Sequence, residues 1–363
     1  MIKTTAINLT DKQPMLVTWD LGRRCNFDCT YCEASRHNNT SAHASLDSMM
    51  STFDFMKEWT DLYNAKRSDP THVNIDFTGG EPTTNPNFWK IAEYVKQHDG
   101  FNVGLTTNGT WPIKDTELVK KFIDGITISW HAEAHQTLKD RALENAVRIS
   151  KAGIWLQVNV MLHCDYFEEA KEVCRFLKEN NISYNPVPIG DGTSTSTGWF
   201  MDSDGAMRRT SHEYTQEQQE WFWNEVGVKN TASSSKQGTE VGRKCCGGRC
   251  LKGKVNNEWQ PVKLVENKFK NWYCTVDWHF LHIDQETGNV YHHQTCQAKH
   301  GQTTGPIGNL ADKNSMLCTL REKLVNPTPI ICPNNRCGCG TCVPKAKYRE
   351  DFEKIWGEIV SCQ

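Results

Sequence analysis

Between about residues 15 and 190 the sequence alternates two apolar rhythms, and this alternation constrains the fold more than any other feature. Short runs rich in β-branched and aromatic residues read as strands at Met15–Leu21 (MLVTWDL), His72–Phe77, Phe101–Thr106, Gly125–Trp130, Ile154–Leu162 and Ile182–Ile189. Between them lie segments with helical spacing. Leu46, Met49, Phe53, Met56 and Tyr63 mark a helix from Ser45 to about Lys66. Phe88, Ile91, Ala92 and Val95 mark another, with Asn85 as its expected cap and Pro86 at its first position. Further helices are expected near residues 115–122, from about Thr137 to Gly153, and along the stripe Ala170, Val173, Cys174 and Leu177. Asp165 and Glu168 form a capping-box-like start to the last of these. Strands alternating with helices give a parallel sheet of right-handed βαβ units. A closed eight-unit barrel takes about 250 residues, and six units do not reach that length. The expectation is therefore an α/β fold, a partial (β/α)6 TIM-like barrel, with chemistry at the carboxyl ends of its strands.

A Ser-, Gly- and Lys-rich stretch, residues 227–244, has no apolar periodicity and reads as a linker. It divides residues 1–226, with the barrel core at about 15–190, from a cysteine-rich part at 245–363. Lys plus Arg (41) nearly balances Asp plus Glu (43), so no nucleic-acid signature is present. No apolar run reaches the roughly 18 residues that span a bilayer, so no membrane partner is expected. Met1 to Pro14 lacks the apolar centre of a signal peptide, and a cytoplasmic location is expected. In that reducing compartment the 16 cysteines point to metal or cluster ligation rather than to a disulfide framework.

Three of those cysteines crowd one loop directly after the first strand: Cys25-Asn-Phe-Asp-Cys29-Thr-Tyr-Cys32. Three thiolates at this spacing can converge on one centre. A 4Fe–4S cluster accepts four thiolates, so three leave one iron open for a ligand. A tetrahedral zinc is the competing reading, with His37 as its fourth ligand. Further motifs end later strands. Thr78-Gly79-Gly80-Glu81-Pro82 follows the second, and its glycines let backbone approach a ligand closely or adopt positive φ. Thr107-Asn108-Gly109 ends the third, Ser129 and His131 end the fourth, and Asn159 is a polar residue inside the apolar fifth. Such an amide costs free energy to bury unless it is bonded.

The CxxxCxxC loop, with Tyr31 just before its last cysteine, resembles the signature of the radical S-adenosylmethionine (SAM) superfamily. The unbroken GGEP run strengthens the resemblance. It implies that Cys25, Cys29 and Cys32 hold a 4Fe–4S cluster whose open iron is chelated by SAM. It further implies cofactor contacts from Tyr31, Gly79, Gly80, Glu81, Pro82, Asn108, Ser129 and Asn159. His131 is read as a substrate contact or a structural histidine.

In the last third, Cys274 and Cys296 flank Gly288, then come Gly305-Pro-Ile-Gly-Asn-Leu310 and Cys332, Cys337, Cys339 and Cys342 (CPNNRCGCGTC). This order resembles the SPASM or shorter twitch extension of the same superfamily and implies one or two auxiliary Fe–S clusters, with these six cysteines as candidate ligands. Cys245, Cys246 and Cys250 have no counterpart in that pattern. A structural zinc ribbon on the last four of the six is the alternative. Cys174 and Cys318 read as core thiols on helical stripes.

The resemblance implies an oxidoreductase-type enzyme that cleaves SAM reductively to a 5′-deoxyadenosyl radical and abstracts hydrogen from a substrate. The expected substrate is a peptide, matured by crosslinking, oxidation or epimerisation. The alternative is a small molecule such as an aminocyclitol, sugar or nucleotide; a non-catalytic iron–sulfur or zinc protein is the reading of another class. The implied electron donor is a reduced flavodoxin or ferredoxin.

Overall fold

The computed structural model describes residues 5–9, 13–32, 37–189, 198–201, 207–210, 214–232, 251–255, 257–261, 269–293, 298–299, 303–333 and 343–360. A short strand, β1 (Ala6–Leu9), precedes the barrel. The barrel then runs β2 (Met15–Asp20), α1 (Leu46–Asn64), β3 (Val73–Thr78), α2 (Phe88–Lys96), β4 (Phe101–Thr107), α3 (Thr116–Phe122), β5 (Gly125–Trp130), α4 (Gln136–Lys151), β6 (Trp155–Leu162), α5 (Phe167–Glu179) and β7 (Tyr184–Pro188). Strands β2 to β7 lie side by side in chain order, all parallel, as βαβ handedness requires.

The sheet is larger than six strands. Phe280–Asp284 pairs in parallel with β2 on its free side, and the strands Asn289–Tyr291 and Gly308–Asn309 follow antiparallel. The short run Phe280–Ile283 lies inside the cysteine-rich part, where periodicity over so few residues does not separate strand from loop. Meanwhile β1 leaves the barrel for a second sheet, where it pairs with Leu251–Val255 and Lys345–Ala346. A 17-residue helix, Gln216–Ala232, extends into the stretch expected to be a linker; residues 233–244 lie outside the described ones.

Local starts differ from the sequence expectation at two helices. Pro82–Thr84 forms a 3-10 turn and α2 begins only at Phe88, with Asn85 accepting from the Asn87 N–H before it. The start of α5 is reached through a 3-10 turn whose cap is His163, accepting from the Asp165 N–H, rather than a box of Asp165 and Glu168.

The two-residue period of the strands sorts their side chains. Val17, Trp19, Ile75, Phe77, Val103, Leu105, Ile126, Ile128, Val158 and Val160 are buried under the helices. Trp19 stacks on Phe77 at 5.1 Å, and Phe88 of α2 meets Phe77 edge-on at 5.4 Å. The opposite face is half-buried and polar: Thr18, Asn74, Asn102, Thr106, Thr127, Gln157 and Asn159. It faces the barrel lumen, where Leu16, Asn74, Asp76, Asn102, Thr127 and Trp155 border a small cavity of about 30 Å³. Cys174 is buried on α5 as expected, whereas Cys318 is exposed. On its helix, Lys313–Val325, the buried stripe is Met316, Leu317, Leu320 and Leu324, which points Cys318 away from the core.

Candidate active site: a three-cysteine loop held over the strand ends

The loop after β2 is fixed from three directions. Its base pairs with Asn38, whose carbonyl accepts from the Cys25 N–H at 3.0 Å while its own N–H donates to the Arg23 carbonyl at 2.8 Å. Its middle is tied to the end of β4: Asn26 donates to Thr110 Oγ1 at 2.9 Å and accepts from Asn108 Nδ2 at 2.7 Å. Its far side is tied to the end of β5, where Glu133 accepts from the Thr30 N–H (2.8 Å) and hydroxyl (2.6 Å). Glu133 in turn lies 3.4 Å from His163 at the end of β6. Asn26, Thr30, Thr110, Glu133 and His163 escaped the sequence reading; the first two lie between the loop cysteines and the others one to three residues beyond a strand end, and that placement was the available signal.

The Gly79-Gly80 pair approaches this loop rather than open space. The Gly80 N–H donates to the Gly22 carbonyl at 2.7 Å and the Glu81 N–H to the Arg24 carbonyl at 2.8 Å. A Cβ on Gly80 would lie 2.3 Å from the Arg24 carbonyl oxygen, and Gly79 adopts φ +128°, a conformation L side chains rarely take. The motif thus needs two glycines because two backbones touch. Glu81, 2% exposed, takes hydrogen bonds from the Thr83 N–H and hydroxyl, the Thr107 hydroxyl and the Asn108 N–H at 2.6–3.0 Å. Burial raises its pKa, and those four donors oppose the shift. Asn108 is engaged throughout: its Oδ1 also accepts from the Thr110 N–H and hydroxyl. Pro82 is buried at the start of the 3-10 turn.

Within the loop, Cys29 is buried and Cys25 and Cys32 are half-buried. The Cys32 N–H donates to the Cys29 carbonyl at 3.1 Å, and the Phe27 N–H to Cys25 Sγ at 3.3 Å. Burial pushes the Cys25 thiol up to about 11 and Cys29 to about 12. A thiolate here is therefore costly unless a cation accompanies it, and a bound metal is what deprotonates a coordinating thiol. Three sulfur donors from one short loop fit an iron–sulfur cluster with one open iron. His37, the fourth ligand of the zinc alternative, sits 3.3 Å from Asp28.

Tyr31 stacks on His131, with ring centroids 5.9 Å apart and planes at 15°. Its hydroxyl is 2.5 Å from His131 Nδ1, which is itself 3.6 Å from Cys29 Sγ. Burial lowers His131 to about 4. Ser129 and Asn159 are directly opposed across β5 and β6 on the lumen face, and Gln157 donates to Asn159 Oδ1 at 3.3 Å. In the second sheet, Cys274 and Cys332 are both buried in one small apolar cluster with Phe269, Trp272 and Val343. Cys296, Cys337, Cys339 and Cys342 lie outside the described residues.

Comparison with known proteins agrees with this geometry. Residues 19–185 match the radical SAM superfamily model. The chain is 27% identical over 196 residues to the AdoMet-dependent heme synthase of Methanosarcina barkeri (49% of this chain, 52% of that protein). It is 28% identical over 162 residues to the mycofactocin maturase MftC of Mycobacterium tuberculosis (40% of this chain, 37% of that protein). The alignments thus span about half or less of these relatives. The solved structure of native anSMEcpe with bound AdoMet and Kp18Cys peptide shares the fold, with a TM-score of 0.53 over 95% of this chain and 96% of that chain at 12% identity. No helix among the described residues is long and apolar enough to cross a membrane. The cysteine loop, the glycine pair that braces it and the match over residues 19–185 converge: the barrel of this chain is a radical SAM domain, of a superfamily built around a 4Fe–4S cluster and SAM.

Proposed function

We propose that this protein modifies a peptide substrate held in the barrel lumen. The observation that carries the reading is the chemistry of that lumen. Strands β2 to β7 and Phe280–Asp284 contain no lysine or arginine, and their lumen face carries amides and hydroxyls with the Asp76 carboxylate, beside Leu16 and Trp155. A tetrapyrrole or a nucleotide brings several carboxylates or phosphates, which proteins hold with arginine and lysine. Amides and hydroxyls instead match the alternating donors and acceptors of a peptide. The solved protein that shares the fold and holds AdoMet together with a peptide lends support.

Cys25, Cys29 and Cys32 would hold the 4Fe–4S cluster, with Tyr31, Ser129 and Asn159 near the bound SAM. When bound, the pair supplies a hydrogen-abstracting radical after one-electron reduction of the cluster. The chain's own work is positional. The glycine pair and Glu81 brace the loop, and Asn26, Asn108, Thr30 and Glu133 hold it over the lumen, so that SAM and substrate meet in fixed geometry. Tyr214 ties the ends of β6 and β7 together, accepting from the Ile189 N–H (2.9 Å) and donating to the Leu162 carbonyl (2.5 Å). Cys274 and Cys332, together with Cys296, Cys337, Cys339 and Cys342, would supply an auxiliary Fe–S cluster. A flavodoxin or ferredoxin would supply the electron, and the protein would work in the cytoplasm.

The test is anaerobic turnover with SAM and dithionite, measuring 5′-deoxyadenosine with and without candidate substrates. A peptide encoded beside the gene should raise its formation and gain or lose hydrogen in its mass spectrum. Stimulation by an aminocyclitol or nucleotide, with the peptide inert, would overturn the reading.

A further inference from the structure

The turn that leads from β6 into α5 carries three kinds of metal ligand on consecutive residues: His163, Cys164 and Asp165. One ligand atom from each lies within 4.8 Å of the other two. Cys164 Sγ is 3.5 Å from Asp165 Oδ1, and His163 Nδ1 is 4.0 Å from Asp165 Oδ2. Donors bound to a tetrahedral ion at about 2.0–2.3 Å stand roughly 3.3–3.8 Å apart, so small side-chain rotations close this shell.

The imidazole is already set as a ligand. Its Nδ1 accepts from the Asp165 N–H at 3.2 Å, so Nδ1 carries a lone pair and the ring hydrogen is on Nε2. Nε2 lies 3.4 Å from a Glu133 carboxylate oxygen. A carboxylate behind the distal nitrogen is the outer partner that metal-ligating histidines recurrently have, and it fixes both tautomer and ring plane. The Tyr166 ring meets the imidazole edge-on at 5.1 Å, and Gln218 anchors the turn by donating to the Cys164 carbonyl at 3.1 Å. An ion on Nδ1 displaces the Asp165 N–H; that residue is exposed, so water takes up the hydrogen bond. A thiolate and a carboxylate together neutralise a divalent cation, so the centre adds no net charge at the start of α5, where the helix dipole resists a cation. Thiolate and imidazole select zinc over magnesium or calcium.

We propose that His163, Cys164 and Asp165 form a zinc site at the barrel mouth, with Glu133 as the positioning residue behind His163. Three protein ligands leave one exchangeable position for water or for a ligand's own donor atom. Glu133 also accepts from the N–H and hydroxyl of Thr30, so a single side chain joins this site to the three-cysteine loop.

Site-resolved thiol labelling of the purified protein tests this. In excess zinc sulfate, alkylation of Cys164 by iodoacetamide, read peptide by peptide by mass spectrometry, should slow about tenfold, because coordination occupies the thiolate. Cys318, exposed on its own helix, should label at one rate with and without zinc. Magnesium at the same concentration should not protect Cys164. Asp165→Ala, which alters an exposed side chain, and His163→Gln should each abolish the protection. Glu133→Gln should raise the zinc concentration needed for it about tenfold. Equal labelling of Cys164 with and without zinc overturns the proposal. Protection that survives Asp165→Ala, or that magnesium gives equally, overturns it too, since the ion would then not need this set of donors. An unchanged zinc requirement in Glu133→Gln overturns the place given to Glu133. If His163→Gln does not fold, Asp165→Ala decides. The labelling is read at Cys164 whether or not iron is assembled on Cys25, Cys29 and Cys32, so the result stands apart from the cluster reading.

Discussion

Replacing Gly80 by alanine probes the brace under the cysteine loop. The new Cβ would stand 2.3 Å from the Arg24 carbonyl oxygen and 2.5 Å from that of Arg23, where ordinary contact begins near 3.4 Å. The two backbones must separate by about 1 Å, and both obstructing atoms are main chain, so no rotamer relieves the clash. Separation breaks the Gly80–Gly22 and Glu81–Arg24 hydrogen bonds of 2.7 and 2.8 Å. Each is worth about 1 kcal/mol net, and overpacking adds about 1–3 kcal/mol, giving roughly 3–5 kcal/mol. Domains of this kind unfold at a cost of about 5–15 kcal/mol, so the barrel survives, and the backbone that is displaced leads into Cys25. Circular dichroism should show a native spectrum with a melting point lowered by several degrees. Iron analysis after anaerobic reconstitution should show a loss of about four iron atoms per chain relative to the parent. An alanine variant with parental melting, iron and SAM cleavage would refute the claim that backbone contact is why the glycines are there.

Other perturbations have defined outcomes. Glu81→Gln turns one acceptor of the four-donor cage into a donor facing an N–H or hydroxyl, and chemical denaturation should show a loss of about 2–3 kcal/mol. Asn26→Ala removes the bonds to Asn108 and Thr110 and should weaken SAM binding, measured by the SAM-induced EPR change, more than it lowers the melting point. Burial, aided by the Arg67 cation, pushes His279 down to about 3, against about 6.5 in an unfolded chain. The unfolded chain therefore takes the proton first. This residue's contribution is intact above about pH 6.5 and is lost as pH falls towards 3, by up to about 5 kcal/mol. His279→Phe should flatten the acid limb of a stability-against-pH curve; an unchanged limb would contradict the assignment.

Much of the barrel was legible because each strand carries its own two-residue period and each helix its own stripe. The motifs at strand ends were legible because consecutive residues in one loop stay together in any fold. What did not show was long-range. Nothing local in Phe280–Asp284 says that it will pair with Met15–Asp20, some 260 residues earlier in the chain. For the same reason no strand was read in Met1–Pro14, although β1 pairs there with Leu251–Val255 and Lys345–Ala346. The glycines of GGEP read as room for a ligand or for positive φ; Gly79 does take positive φ (+128°), and the close approach the structure shows is to the backbone of residues 22–24. Glu133 and His163 were invisible because their roles depend on how β5 and β6 end relative to the loop, which no spacing encodes.

The most direct test concerns the three thiols. Reconstituted without oxygen and supplied with SAM and dithionite, the parent protein should be brown and release 5′-deoxyadenosine, and Cys29→Ala should release none. A colourless protein with zinc bound at Cys25, Cys29 and Cys32, and no cleavage of SAM, would contradict the account at its base.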